Sequence, residues 1–207
     1  MKELRQPRHI LGMRIERNRT TKTPWLSQSN YIQKVLHFFK IDNAKPAPTP
    51  LPMTIQPSDK DSPSTEEERK LNGKIPYASV VASIMYAMVA IGPDLAYVVG
   101  VVSRYMSNPG RKHWEAFKHI LRHLRGTKDT RLTFGSTNST KVEGYTNSRK
   151  STSGYVFTYG GGAISWRSKL QECTTLSTTE AEYIATSDAT KEAVWLHRLS
   201  ANFSAKR

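Results

Sequence analysis

The chain has 207 residues, 37% of them apolar, which is enough for one large core or two small ones. Lysine and arginine number 31 against 17 acids, and the formal charge of +14 points to polyanionic partners, nucleic acid above all, over a surface charged for solubility alone. A single cysteine, Cys173, excludes an internal disulfide, and no apolar run suits a signal peptide or a membrane span, so a soluble intracellular protein, cytoplasmic or nuclear and without a membrane partner, is expected.

In chain order, the alternation in Ile10-Leu11-Gly12-Met13-Arg14-Ile15 predicts a strand, Asn18 to Lys22 a polar turn, and Pro24-Trp25-Leu26 the return strand. Ser29 or Asn30 is expected to cap a short helix with Tyr31, Ile32, Val35, Leu36 and Phe39 on its apolar face. Four prolines between Pro46 and Pro52 remove backbone donors and favour extended geometry, so residues 43–63 read as a connector. Ser64 and Glu67 have the spacing of a capping box. From Tyr77 to Met106 the apolar residues repeat at helical spacing, and Gly92-Pro93-Asp94 splits the run into two packed helices rather than a membrane span. Their methionines read as core.

The next segment is the best amphipathic helix. Trp114, Phe117, Ile120, Leu121 and Leu124 form one stripe between Arg111 and Arg125, and Gly126 is expected to end the helix as a C′ glycine. Arg111, Lys112, Lys118, Arg122 and Arg125, with Lys128 just beyond, are the candidate nucleic-acid-binding residues, set against the alternative of a solvated face that covers the core. His119 and His123 have the four-residue spacing of a metal pair, yet no third ligand is in view and the surrounding cations oppose a metal ion. Short strands follow at Arg131–Phe134 and Lys141–Tyr145, with a polar loop from Gly135 to Thr140 between them. Ser153–Tyr159 and Ala163–Ser168 form a hairpin around Gly160-Gly161-Gly162. A second capping box, Ser177 with Glu180, opens a helix to about Leu199 on which Ala185, Ala189, Ala193 and Leu196 share a face with Glu182 at its edge. There is no Gly-rich phosphate loop and no Ser-His-Asp or Cys-His set with meaningful spacing.

Arg149-Lys150-Ser151-Thr152-Ser153-Gly154-Tyr155, Ala163-Ile164-Ser165-Trp166 and Leu176-Ser177-Thr178-Thr179-Glu180-Ala181-Glu182-Tyr183 resemble the ribonuclease H domain of copia-type retrotransposon Pol polyproteins. Ile10 to Ile15, Trp25-Leu26-Ser27-Gln28, Tyr31 to Leu36, Asn43-Ala44-Lys45-Pro46, Pro76-Tyr77-Ala78-Ser79, Gly100 to Gly110 and His113-Trp114-Glu115-Ala116 resemble the same polyprotein in the expected order, so the likeness covers nearly the whole chain. It implies a mixed α+β fold: a hairpin-helix unit and a helical connection, then a truncated ribonuclease H-like sheet with one packed helix. It also implies four segments. These are the end of the reverse transcriptase over 1–44, a Pro-rich connector over 45–74, a helical connection over 75–135, and a partial ribonuclease H-like domain over 136–207.

The chemistry implied by the resemblance needs two Mg²⁺ ions about 3.5–4 Å apart, held by converging carboxylates. In that family the first acid follows a Gly-Tyr-Ser/Thr strand. Here Gly144-Tyr145-Thr146 runs directly into Asn147-Ser148-Arg149-Lys150, so Asn147 stands where an acid is expected. The second maps onto Glu182, the one candidate catalytic and metal-ligating residue, and the third belongs to a strand beyond Arg207. The family's polymerase motif lies upstream of Ile10. The expectation is therefore a fragment without polymerase or ribonuclease H activity, in which Mg²⁺ is not bound productively. Such a fragment would hold an RNA–DNA hybrid or duplex through basic helices, with an intact Pol polyprotein as a further partner. The rival expectations are an active Mg²⁺-dependent ribonuclease H and a relic reading frame.

Overall fold

A computed structural model describes residues 7–73, 75–135, 142–149 and 152–204. The loop expected after Gly135, together with Lys141, Lys150 and Ser151, lies outside the described residues. The fold is mixed α and β, and it divides into two compact units: Met1–Glu16 with Leu26–Arg131, and Arg17–Trp25 with Leu132–Arg207.

The strand expected over Ile10–Ile15 is two strands, β1 (His9–Ile10) and β2 (Met13–Asn18), paired antiparallel with Ile10 opposite Met13. Leu11 and Gly12 both take positive φ (47° and 72°), which a two-residue hairpin turn requires and which alternation alone does not reveal. The return strand is β3 (Thr23–Ser27), and the sheet order is β1-β2-β3-β4 with β4 at Leu132–Thr133. Asn18 shapes the β2–β3 turn by accepting the amides of Thr20 and Thr21 on its side-chain oxygen (3.0 and 3.3 Å).

In the first unit, α1 (Ser29–Phe38) is flanked by Gln28 at the N-cap, not by Ser29 or Asn30; Ser27 Oγ accepts the Ser29 amide at 3.3 Å. The second helix, α2 (Glu66–Asn72), is capped one residue later than expected. Thr65 accepts the Glu68 amide and Glu68 reaches back to the amides of Ser64 and Thr65, because both Ser64/Glu67 and Thr65/Glu68 fit the box and the second pair is used. Then come α3 (Tyr77–Ile91) and α4 (Ala96–Ser103), separated by a 3₁₀ turn at Pro93–Leu95 as the Gly-Pro-Asp break predicts. Last is α5 (Arg111–Thr127).

The core joins Ile32, Val35 and Leu36 of α1, Val80, Val81 and Ile84 of α3, Val98, Val99 and Val102 of α4, and Phe117, Ile120, Leu121 and Leu124 of α5. Tyr77 stands edge-on to Phe117 (4.5 Å between centroids) and donates its hydroxyl to the Val102 carbonyl at 2.8 Å, and burial raises its pKa. Among the described residues, no single helix is long and apolar enough to cross a membrane.

The second unit is built on β5 (Val142–Arg149), β6 (Thr152–Tyr159) and β7 (Gly162–Leu170), an antiparallel sheet in that order, with α6 (Thr178–Ser204) packed on one face. Gly160 and Gly161, both at positive φ, make the two-residue β6–β7 turn. Opposite Phe157, a Cβ on Gly144 would lie 2.4 Å from the ring, so only glycine fits there. Phe157 packs with Ala189 and Leu196 of α6. The Ser177 cap is as expected, its Oγ accepting the Glu180 amide at 3.1 Å while Glu180 accepts the Leu176 amide at 2.8 Å. The helix itself runs past Leu199 to Ser204.

Candidate nucleic-acid interface and the helix glutamate

At about 100° per residue, the side chains of α5 fall into three stripes. His113, Ala116, Phe117, Ile120, Leu121 and Leu124 are buried. Arg111, Glu115, Lys118, Arg122 and Arg125, at steps of four, three, four and three, form a cationic stripe interrupted by one acid. Lys112, His119, His123 and Gly126 form the third stripe, and along it residues 44–63 run as a strap antiparallel to the helix, with a 3₁₀ turn at Asp59–Asp61.

The strap explains itself through hydrogen-bond supply. Prolines 46, 48, 50 and 52 give carbonyls but no amide donors, so the segment is rich in acceptors and must find donors elsewhere. α5 provides them. Arg125 donates to the Ala44 carbonyl, Arg122 Nε to Lys45 O (2.6 Å), His123 Nδ1 meets Ala47 O (3.2 Å), and His119 Nδ1 meets Pro50 O (3.3 Å). The Ala47 amide returns a bond to Arg122 O at 3.2 Å. Gly126 does not end the helix as expected. It lies within the last turn, where its missing side chain admits Pro46, whose Cβ would be 3.3 Å from a Cβ placed there.

Nearer the start of α5, buried His113 accepts the Gly110 amide on Nδ1 (2.9 Å) and so donates from Nε2 to Ser58 O (3.0 Å), with Tyr105 stacked on its ring at 4.0 Å. Tyr105 in turn donates its hydroxyl to Pro57 O at 2.9 Å. Gly110 closes against the strap so tightly that a Cβ would fall 1.8 Å from Asp61 O.

These contacts place the six expected binding residues. Lys112 donates to Asp61 at 2.7 Å; that bond holds the Asp61 carboxyl below the usual aspartate range and raises the Lys112 ammonium. Arg111 pairs with Glu115 at 3.5 Å across one turn of exposed helix. Arg122 and Arg125 are half-buried and engaged with the strap, Lys118 is exposed, and Lys128 is half-buried at the helix end. Of the histidine pair, His123 bonds Asp94 Oδ2 through Nε2 at 2.8 Å, and this bond, opposed by burial, raises its pKa. Among the described residues, no three of His, Cys, Asp and Glu group as a metal site would need. The sequence reading missed Asp61, Asp94 and His113. The available signal was a donor-poor proline run opposite a helix carrying donors at steps of three and four.

In the second unit, Glu182 is exposed near the start of α6, one position past buried Ala181; the sheet-facing stripe is Ala181, Ala185, Ala189 and Leu196. Gln171 ties this turn to the sheet by donating to Ala181 O (2.9 Å) and Ser153 Oγ (3.0 Å). Ser153 pairs with Ser148, and the neighbouring Gly154 pairs with Asn147. Gln171 thus ties the start of α6 to the part of β6 that pairs with Asn147 and Ser148 of β5. Glu182 is exposed, and Glu180 accepts the Leu176 amide. The cleft between α6 and β7 offers no excess of cations either: Arg167, Lys169 and Lys191 are matched by Glu172, Asp188 and Glu192.

Comparison with known proteins finds similarity to transposon polyproteins. The chain is 52% identical over 206 residues to the retrovirus-related Pol polyprotein from transposon TNT 1-94 of Nicotiana tabacum, covering 96% of this chain and 15% of that protein. Over nearly its whole length the chain is thus similar to a segment of the retrovirus-related Pol polyproteins of plant transposons. The Pol polyprotein from transposon RE2 of Arabidopsis thaliana is 32% identical over 204 residues, 95% of this chain and 13% of the relative. A protein described as secreted RxLR effector protein 161 of Plasmopara viticola is 48% identical over 130 residues, 59% of this chain and 92% of its own length. The chain spans about one-seventh of the length of the Pol polyproteins it matches. No family model matches the chain. No solved structure matches it.

Proposed function

We propose that this Pol segment is a nucleic-acid-holding element without hydrolytic chemistry of its own. The observation that carries the reading is the cationic stripe of Arg111, Lys118, Arg122 and Arg125, which follows the length of α5 while the opposite face is locked in the core. Such a stripe meets phosphates at successive turns without reading bases, with Lys112 and Lys128 flanking it. In this reading, residues 1–44 correspond to the end of the reverse transcriptase, 45–74 to the connector, 75–135 to the connection and 136–207 to a partial ribonuclease H-like domain. A Pol polyprotein is then the protein partner.

The test is anisotropy titration of labelled RNA–DNA hybrid and DNA duplex across a salt series, with RNA cleavage scored in the presence and absence of Mg²⁺. Binding should weaken with a log–log slope of about −0.9 per phosphate contact, and Lys118→Ala should flatten that slope by about one contact. Salt-insensitive binding, or none at low salt, would overturn the reading. The bond from Gln171 to Ala181 O, next to Glu182, favours one rival, an active ribonuclease H, because it ties that part of α6 to the sheet. Mg²⁺-dependent cleavage abolished by Glu182→Gln would establish that rival.

A further inference from the structure

We propose that His123 is a proton-operated latch: its imidazolium fastens the proline-rich strap over α5, and loss of its proton releases the strap from the cationic stripe. The geometry around the ring leaves little choice. His123 is 5% exposed, and each ring nitrogen faces an acceptor: Nδ1 the Ala47 carbonyl at 3.2 Å and Nε2 the Asp94 carboxylate at 2.8 Å. A carbonyl and an ionised carboxylate can only accept, so both nitrogens must carry protons. A neutral ring would satisfy one acceptor and leave the other unmatched beside it.

The groups gathered here are Asp94 from the turn between α3 and α4, the backbone of Ala47 and Pro48 together with Lys45 from the strap, and His119, Arg122 and Arg125 from α5. Arg122 and Arg125 can only donate. His119 makes one strap contact through one nitrogen, which its neutral Nδ1–H form also satisfies. Only His123 needs two protons. Its pKa is raised by the bond to Asp94, so the latch is fully closed below the ordinary imidazole value of about 6.5 and opens as pH rises through the raised one.

The latch also governs what α5 offers. While the strap is fastened, the guanidiniums of Arg122 and Arg125 donate to Lys45 O and Ala44 O, the positions a phosphate oxygen would take. This second consequence rests on the nucleic-acid reading above, whereas the latch does not.

The test uses the full chain. At pH 6, the side-chain ¹⁵N shifts of His123 should show both nitrogens protonated. The protection factor of the Ala47 amide, which donates to Arg122 O, should fall between pH 6 and 9 by about tenfold for each unit by which the imidazole pKa is raised. Asp94→Asn, on a half-exposed carboxylate that the core does not need, should remove that pH dependence. A singly protonated ring at pH 6, or constant Ala47 protection across the range, overturns the latch.

Duplex binding at fixed salt supplies the second arm. Tighter binding at pH 8.5 than at 6.5, against the trend expected from losing positive charge, supports release of the stripe. Strap opening with no duplex binding at either pH would sink the nucleic-acid reading and leave the latch standing. Duplex binding with an unresponsive strap would do the reverse.

Discussion

The two units bury their helices in different ways. In the first, α1, α3, α4 and α5 meet through large side chains, with Ile84, Val102, Phe117, Ile120 and Leu121 fully buried. In the second, α6 lies on its sheet mostly through alanines, and Phe157 and Leu196 are the large side chains in the buried cluster of described residues. Small residues bring helix and sheet close together but remove little apolar area from water, and burial scales with area. The first unit is therefore held by volume and the second by fit.

Phe117→Ala should break the first unit most severely, by about 3–5 kcal/mol, because a fully buried ring leaves a cavity among four helices. Denaturant unfolding gives the size, and amide exchange gives the extent: α3 to α5 should lose protection while β6 keeps its own. Simultaneous loss in both would mean a single cooperative block, and the contrast would fail. Ala185→Leu tests the other side. At a position 2% exposed against the sheet, added volume should cost about 1–3 kcal/mol in the second unit, where a unit held by area would gain stability.

A smaller effect is expected from Ser177→Ala, about 1 kcal/mol, read as fraying of the first turn of α6 by exchange at Glu180. The smallest belongs to the strap. Because the Asp61 carboxyl is held below its usual range, its contribution is present above about pH 3.9 and is lost as pH falls through the lowered value. The difference in unfolding midpoint between the parent and Asp61→Asn should close on acidification, and a pH-independent difference would reject the assignment.

Helix positions were largely legible in the sequence because periodicity and the Gly92-Pro93-Asp94 break act locally. The β6–β7 hairpin was legible because three glycines mark a turn that needs positive φ. What escaped depends on partners distant in sequence. Gly126 has the composition of a helix stop, yet its place is set by Pro46 lying against it. Leu11 takes a left-handed conformation that its residue type does not announce. Arg122 and Arg125 read as free cations until carbonyls 77 and 81 residues away are brought to them. Composition pointed to a basic helix but could not show that part of its charge already serves the chain itself.

That separation has a consequence in time. The strap leaves the ribosome before the helix that supplies its donors, and at about 5–20 residues per second Lys45 precedes Arg122 by about 4–15 s. For that interval the proline run is an extended, water-bound stretch with its carbonyls exposed. A chaperone or a proline isomerase would meet it then, and α5 takes that place once it emerges.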